Sequence, residues 1–87
     1  MRYKVILRRD VLKALKRIAV YDHRAIMDRL HSLAEIPRPK DVKKLSGVLL
    51  WRVRVRDYRI VYHIDDDTKK LVVVKIKRRR EDNYRRL

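Results

Sequence analysis

The feature that most constrains this chain is a change of hydrophobic period near its middle. Before residue 34, apolar residues recur at helical spacing: Val11, Leu12, Leu15, Ile18 and Ala19, then Ile26, Leu30 and Leu33. From residue 51 they alternate, and Trp51-Arg52-Val53-Arg54-Val55 reads as a strand with one apolar and one basic face. Tyr58–Ile64 and Leu71–Lys77 read as two further strands, separated by the polar turn Asp65–Lys70. Tyr3–Leu7 reads as a short strand ahead of the helices. Asp10 and Asp22 are the expected helix N-caps, and Pro37 and Pro39 close the second helix. The predicted order is β-α-α-β-β-β, an α+β domain with a helical hairpin packed on a sheet. A meander over residues 48–77 is its simplest construction.

At 87 residues the chain is expected to be a single domain, 1–87, with no linker, repeat or low-complexity tract. No apolar run approaches the roughly 20 residues that span a bilayer. The first ten residues lack a signal-peptide pattern, so a cytoplasmic location and no membrane partner are expected. With no Cys, disulfides, thiolate chemistry and Cys-based zinc sites are excluded. His23 and His31 lack supporting ligands, and Asp65-Asp66-Asp67 lacks the Gly and distal Glu of a calcium loop. No metal and no cofactor are expected.

The net charge is +15, from 26 Lys and Arg against 11 Asp and Glu, divided about evenly between the halves of the chain. A domain this small repels itself at such charge, which points to nucleic acid, an acidic protein partner or both. The excess of one sign argues against a thermophile surface, where both signs form networks.

A register can be read from the short link at Arg56-Asp57. With Val55 opposite Tyr58, Val53 faces Ile60, Trp51 faces Tyr62 and Leu49 faces Ile64, all apolar or aromatic pairs on a core face. The other face then carries Arg54 opposite Arg59, and Arg52 opposite Val61. With Val72, Val74 and Ile76 on the core face, Lys77 lies beside Arg59 and Lys75 beside Val61. The row Arg54–Arg59–Lys77 crosses three strands, flanked by Arg52 and Lys75. Directly opposed like charges destabilise a sheet. Basic residues on an open face also discourage edge pairing, which is the plainer reading of any one of them. The aligned set fits an anion site shaped for phosphate, for which the planar Arg fork is suited. The tail adds Arg78, Arg79, Arg80 and Tyr84; cations beside an aromatic ring suit single-stranded nucleic acid. His63 falls on the same basic face and is a candidate for proton transfer.

Several pieces in order carry a resemblance: Leu45-Ser46-Gly47, Trp51-Arg52-Val53-Arg54, Asp57-Tyr58-Arg59-Ile60-Val61-Tyr62, Val72–Ile76 and Arg78–Tyr84. Together they resemble the RelE/ParE superfamily of toxins from type II toxin–antitoxin pairs, over essentially the whole chain. The resemblance implies the RelE-like microbial ribonuclease fold with a curved antiparallel sheet. It implies an endoribonuclease that cleaves messenger RNA in the ribosomal decoding site, without metal, by attack of the substrate's 2′-hydroxyl. It also implies a cognate antitoxin with an acidic toxin-binding segment, and contact with operator DNA only through that complex. By position, Arg59, Arg54, Arg80 and Tyr84 correspond to catalytic positions, while Arg52, Lys75, Lys77, Arg78 and Arg79 fall among RNA-binding ones. The chain departs from many members at Arg79, where they carry His, and by Arg where some carry Lys. Arg stays protonated and cannot act as a general base. The alternatives are a ParE-like poison of DNA gyrase without nuclease activity, and a non-catalytic co-repressor module.

Overall fold

The computed structural model describes residues 2–45, 47 and 49–78. The elements are β1 (Lys4–Leu7), α1 (Arg9–Lys16), α2 (Val20–Glu35), β2 (Lys43–Lys44), β3 (Trp51–Val55), β4 (Tyr58–Asp65) and β5 (Lys70–Arg78). They form an α+β fold in which the two helices cover one face of a five-stranded sheet of order β1-β5-β4-β3-β2.

The sheet is mixed. β2 to β5 pair antiparallel, whereas β1 lies parallel to β5, with Val5 beside Leu71 and Leu7 beside Val73. The expected antiparallel meander thus accounts for β3 to β5. The parallel contact joins the first strand to one that is distant along the chain, so no hairpin links the two. The two-residue β2 was not expected.

Apolar spacing builds the helices as expected: Val11 and Leu15 on α1, and Ile26, Leu30, Leu33 and Ala34 on α2, are buried against the sheet. The caps differ from expectation. Arg8 and Ala19 occupy the N-cap positions, and Asp10 and Asp22 fall in the first helical turns. An acid there still favours the helix through the axial dipole. Asp10 accepts a 3.1 Å hydrogen bond from the Val11 amide, and Asp22 instead pairs with Arg56. α2 ends as its Ile36 amide donates to the Ser32 carbonyl, immediately before Pro37.

Between β3 and β4 the pairs Val55–Tyr58, Val53–Ile60 and Trp51–Tyr62 are observed. The Leu49–Ile64 pair is not: β3 starts at Trp51, and Leu49 is 69% exposed in the preceding segment. The β4–β5 register shifts between Val61 and Tyr62, leaving Val74 as an extra residue on β5. One inserted residue flips the side-chain phase of everything beyond it. Leu71 and Val73, both 0% exposed, therefore fill the core. Val72 and Val74, expected there, are half-buried and lie outside the core cluster. Ile76, on the Arg59 side of the bulge, keeps its expected phase opposite Ile60 and packs against the core.

Two polar clasps hold the end of the domain around the α2–β2 loop. The Tyr62 hydroxyl donates to the Pro37 carbonyl at 2.8 Å. Asp66, in the β4–β5 turn, accepts from Tyr3 at 2.6 Å and from Arg38 at 2.9 and 3.3 Å. That turn is shaped by Asp65, whose carboxylate accepts from the amides of Asp67 and Thr68.

Candidate functional site

The alternation of β3 sends Val53 and Val55 into the core and Arg52 and Arg54 to the face away from the helices. The observed registers place Arg59 opposite Arg54, and Lys77 on the far side of Arg59. The three-strand basic row is therefore present. The second row is longer than expected, because Lys43 of β2 lies beside Arg52, followed by Val61 and Lys75. A recess of about 440 Å³ opens over this region, lined by Asp41, Lys43, Arg52, Val53, Arg54 and Arg59.

Electrostatically the recess is cationic with one acid at its margin. Asp41 accepts a hydrogen bond from Arg29, which holds its carboxyl below the usual carboxylate range, so it is charged at neutral pH. Arg52, Arg54 and Lys43 have no ion-pair partner among the described residues. Several guanidinium and ammonium groups converging on one recess provide multiple N–H donors to a tetrahedral or trigonal-bipyramidal oxyanion.

Other sequence-predicted residues fall elsewhere. Arg78 ends β5 with its guanidinium 6.0 Å over the ring of Tyr58, a core-face residue, so it is not part of the row. His63 lies on β4 opposite Val72, four residues from Arg59. At about 3.3 Å per residue their α-carbons are roughly 13 Å apart, and the two residues share one face of β4. Arg79, Arg80 and Tyr84 lie outside the described residues. Among the described residues, no cluster of His, Asp and Glu is arranged to hold a metal ion, and no helix is long and apolar enough to cross a membrane.

Sequence reasoning missed Lys43 and Asp41, since a two-residue strand shows no period. It also missed a second basic-aromatic pair, which joins the β3–β4 hairpin tip to the start of α2. Arg56, in the two-residue β3–β4 loop, stacks 4.6 Å over the ring of Tyr21 and pairs with Asp22.

The fold and this site define a small basic toxin of the type II toxin–antitoxin class. Residues 5–83 match the family model described as the ParE toxin of the type II toxin–antitoxin system parDE. The chain belongs to that family, within the RelE/ParE superfamily. Among solved structures, it is 32% identical to the archaeal RelE of a RelE–RelB complex from Pyrococcus horikoshii OT3, with a TM-score of 0.82 over 91% of this chain and 97% of that one. It shares the fold of the isolated Escherichia coli RelE toxin (21% identity, TM-score 0.78, 98% of this chain and 99% of that one). The Mycobacterium tuberculosis RelBE2 complex is also similar (21% identity, TM-score 0.80, 91% and 100%). A comparison with curated protein sequences yields no match.

Proposed function

We propose that this toxin is a ribosome-dependent messenger-RNA endonuclease, acting in the cytoplasm and held inactive by a cognate antitoxin. The observation that carries the reading is the Arg54–Arg59–Lys77 row beside a recess lined by Arg52, Arg54 and Arg59. In the proposed reaction the substrate's 2′-hydroxyl attacks the adjacent phosphorus in line. The bond to the 5′-oxygen breaks, leaving a 2′,3′-cyclic phosphate and a new 5′-hydroxyl, and the attacking oxygen's proton is lost as the leaving oxygen gains one. The pentacoordinate intermediate gathers negative charge. Preplaced Arg59, with Arg54 and Arg80, stabilises that charge, while Tyr84 stacks on or orients a base. Lys43, Arg52, Lys75 and Lys77 guide the backbone, and Arg78 and Arg79 extend the cationic surface. The 32% identical relative was solved as a RelE–RelB complex, which supports an antitoxin partner for this chain. Its chemistry is expected to be acidic, to match the basic face. Operator DNA is reached only through that complex.

The second reading is a gyrase poison without nuclease activity, favoured by the family model that matches the chain. Primer-extension mapping of messenger RNA on purified translating ribosomes, with wild type and Arg59→Ala side by side, separates the two. Cuts within decoding-site codons that vanish in the mutant are the expected result. Equal cutting by both overturns the role of Arg59. No cutting by either, with gyrase-linked DNA breaks, establishes the second reading.

A further inference from the structure

The proposed reaction needs a group that takes the proton of the attacking 2′-hydroxyl, and the basic row cannot supply one. Lys43, Arg52, Arg54 and Arg59 enter the recess as cationic donors with no lone pair to offer. His63 is not among the residues that line it. Asp41 is, and among the described residues its carboxylate is the one anionic side chain on the recess wall.

The fold accounts for its position. β2 and β3 pair with Lys43 beside Arg52. Counting that register back by two residues brings Asp41, in the turn before β2, toward Arg54 at the end of the row Arg54–Arg59–Lys77. Val42, between Asp41 and Lys43, is buried in the core with Val53. Arg29 reaches from α2 and donates to Oδ2 of Asp41. Its side chain is 26% exposed and its Nε is buried, whereas the Asp41 side chain is 62% exposed. A largely buried guanidinium thus fixes a carboxylate that stays open on the side of the recess. The same hydrogen bond keeps the Asp41 carboxyl below the usual carboxylate range, so it is ionised and able to accept a proton at neutral pH. It also makes Asp41 a weaker base. The 2′-hydroxyl becomes far more acidic as its oxygen bonds to phosphorus, so a weak base suffices when the proton moves late in the step.

We infer that Asp41 is the general base of the cleavage, accepting the 2′-hydroxyl proton while Arg54 and Arg59 hold the phosphate oxygens. This rests on the ribonuclease reading of the recess and supplies the proton acceptor that reading lacks. As the bond from the 2′-oxygen to phosphorus forms, the proton passes to a carboxylate oxygen of Asp41. The bond from phosphorus to the 5′-oxygen breaks, and that oxygen takes a proton from a water molecule. The hydroxide so formed removes the proton from Asp41, so no water is consumed and the carboxylate is restored. Arg29 is a positioning residue in this scheme.

Asp41→Asn keeps the shape of the side chain and an oxygen for Arg29, but it cannot take the proton. On translating ribosomes it is expected to slow cleavage about a hundredfold or more. An uncleavable 2′-O-methyl RNA octamer should bind the same variant about twofold to threefold more tightly, because a negative charge has left a cationic recess. The pH profile separates proton transfer from positioning. The groups facing Asp41 are Arg29 from α2, Lys43 from β2, Arg52 and Arg54 from β3, Arg59 from β4, and Tyr62, whose phenol burial pushes up to about 12. Single-turnover cleavage by wild type should be level between about pH 6 and 8, whereas Asp41→Asn, left to hydroxide, should gain about tenfold per pH unit. Asp41→Glu should recover part of the rate and the level profile. Cleavage by Asp41→Asn at the wild-type rate overturns the assignment and leaves the ribonuclease reading standing. A slowed variant with a level profile makes Asp41 a positioning residue alone and overturns the base. Loss of cleavage together with octamer binding makes it a structural residue, with the same consequence. Wild type that cuts no RNA overturns the ribonuclease reading and the base with it.

Discussion

Arg54→Glu should make the toxin more stable and inactive at once. Arg54 stands directly opposite Arg59, and Lys77 lies beyond it. Opposed side chains start about 5 Å apart at Cβ, and two splayed guanidinium groups settle at roughly 7 Å. At that distance, in a water-like dielectric, the repulsion is about 0.6 kcal/mol, and reversing one sign turns it into an equal attraction. Lys77, about one Debye length away at 0.1 M salt, adds only a few tenths of a kcal/mol. The lower β-propensity of Glu removes a similar amount. The expected gain is therefore about 1 kcal/mol at low ionic strength. With a urea m-value of about 1 kcal/mol per M for a chain this size, the midpoint rises by roughly 1 M. In about 1 M salt the Debye length falls to about 3 Å and the gain should vanish. Cleavage on ribosomes should drop by about a hundredfold or more, since a carboxylate then faces the developing oxyanion. A variant less stable than wild type at low salt would refute the reasoning. So would a gain that persists at high salt, because the row would then not be held in electrostatic opposition.

The remaining expectations concern the clasps. Tyr62→Phe removes the hydroxyl that donates to the Pro37 carbonyl and should cost about 1 kcal/mol in urea unfolding. Burial pushes the Tyr62 phenol up from 10.0 to about 12, so its contribution is complete below pH 10 and lost as pH climbs toward 12. Ultraviolet titration should show one late-ionising tyrosine that is absent from the variant. The hydrogen bond from Arg38, then that from Tyr3, holds the Asp66 carboxyl below its ordinary 3.8. A depressed carboxyl stabilises the fold above its unfolded pKa and loses that effect as pH falls below it. Asp66→Asn should accordingly flatten the loss of stability between neutral pH and about pH 3, read from urea midpoints; an unchanged acid limb would refute the role of the clasp.

How legible the site was depended on how polar residues marked the phase of each strand. Arg52 and Arg54 alternate with Val53 and Val55, and the two-residue loop at Arg56-Asp57 sets the pairing, so Arg54–Arg59 could be read directly. Lys75 and Lys77 marked the end of β5 equally well. The stretch Leu71-Val72-Val73-Val74 contains no polar residue, so nothing in it reveals the bulge or which residues enter the core. Burial chose Leu71 and Val73 through contacts with the helices and β1. Lys43-Lys44 is too short to show any period. The pairing of Val5 and Leu7 with β5 spans most of the chain and leaves no local trace. The Arg56–Tyr21 stack joins a hairpin tip to a helix start and exists only once both are packed.

The position of β5 has a consequence for how the molecule is born. Of the described strands it is the last to be synthesised, yet it sits inside the sheet between the first strand and β4. Until residues 70–78 have left the ribosome, β1 has no neighbour and Leu71 and Val73 are missing from the core. Pairings so distant along the chain form late and slowly. An interrupted nascent chain consequently holds Arg54 and Arg59 without the sheet that aligns them with Lys77. A fragment that stops short of β5 therefore lacks the aligned row on which the proposed chemistry depends.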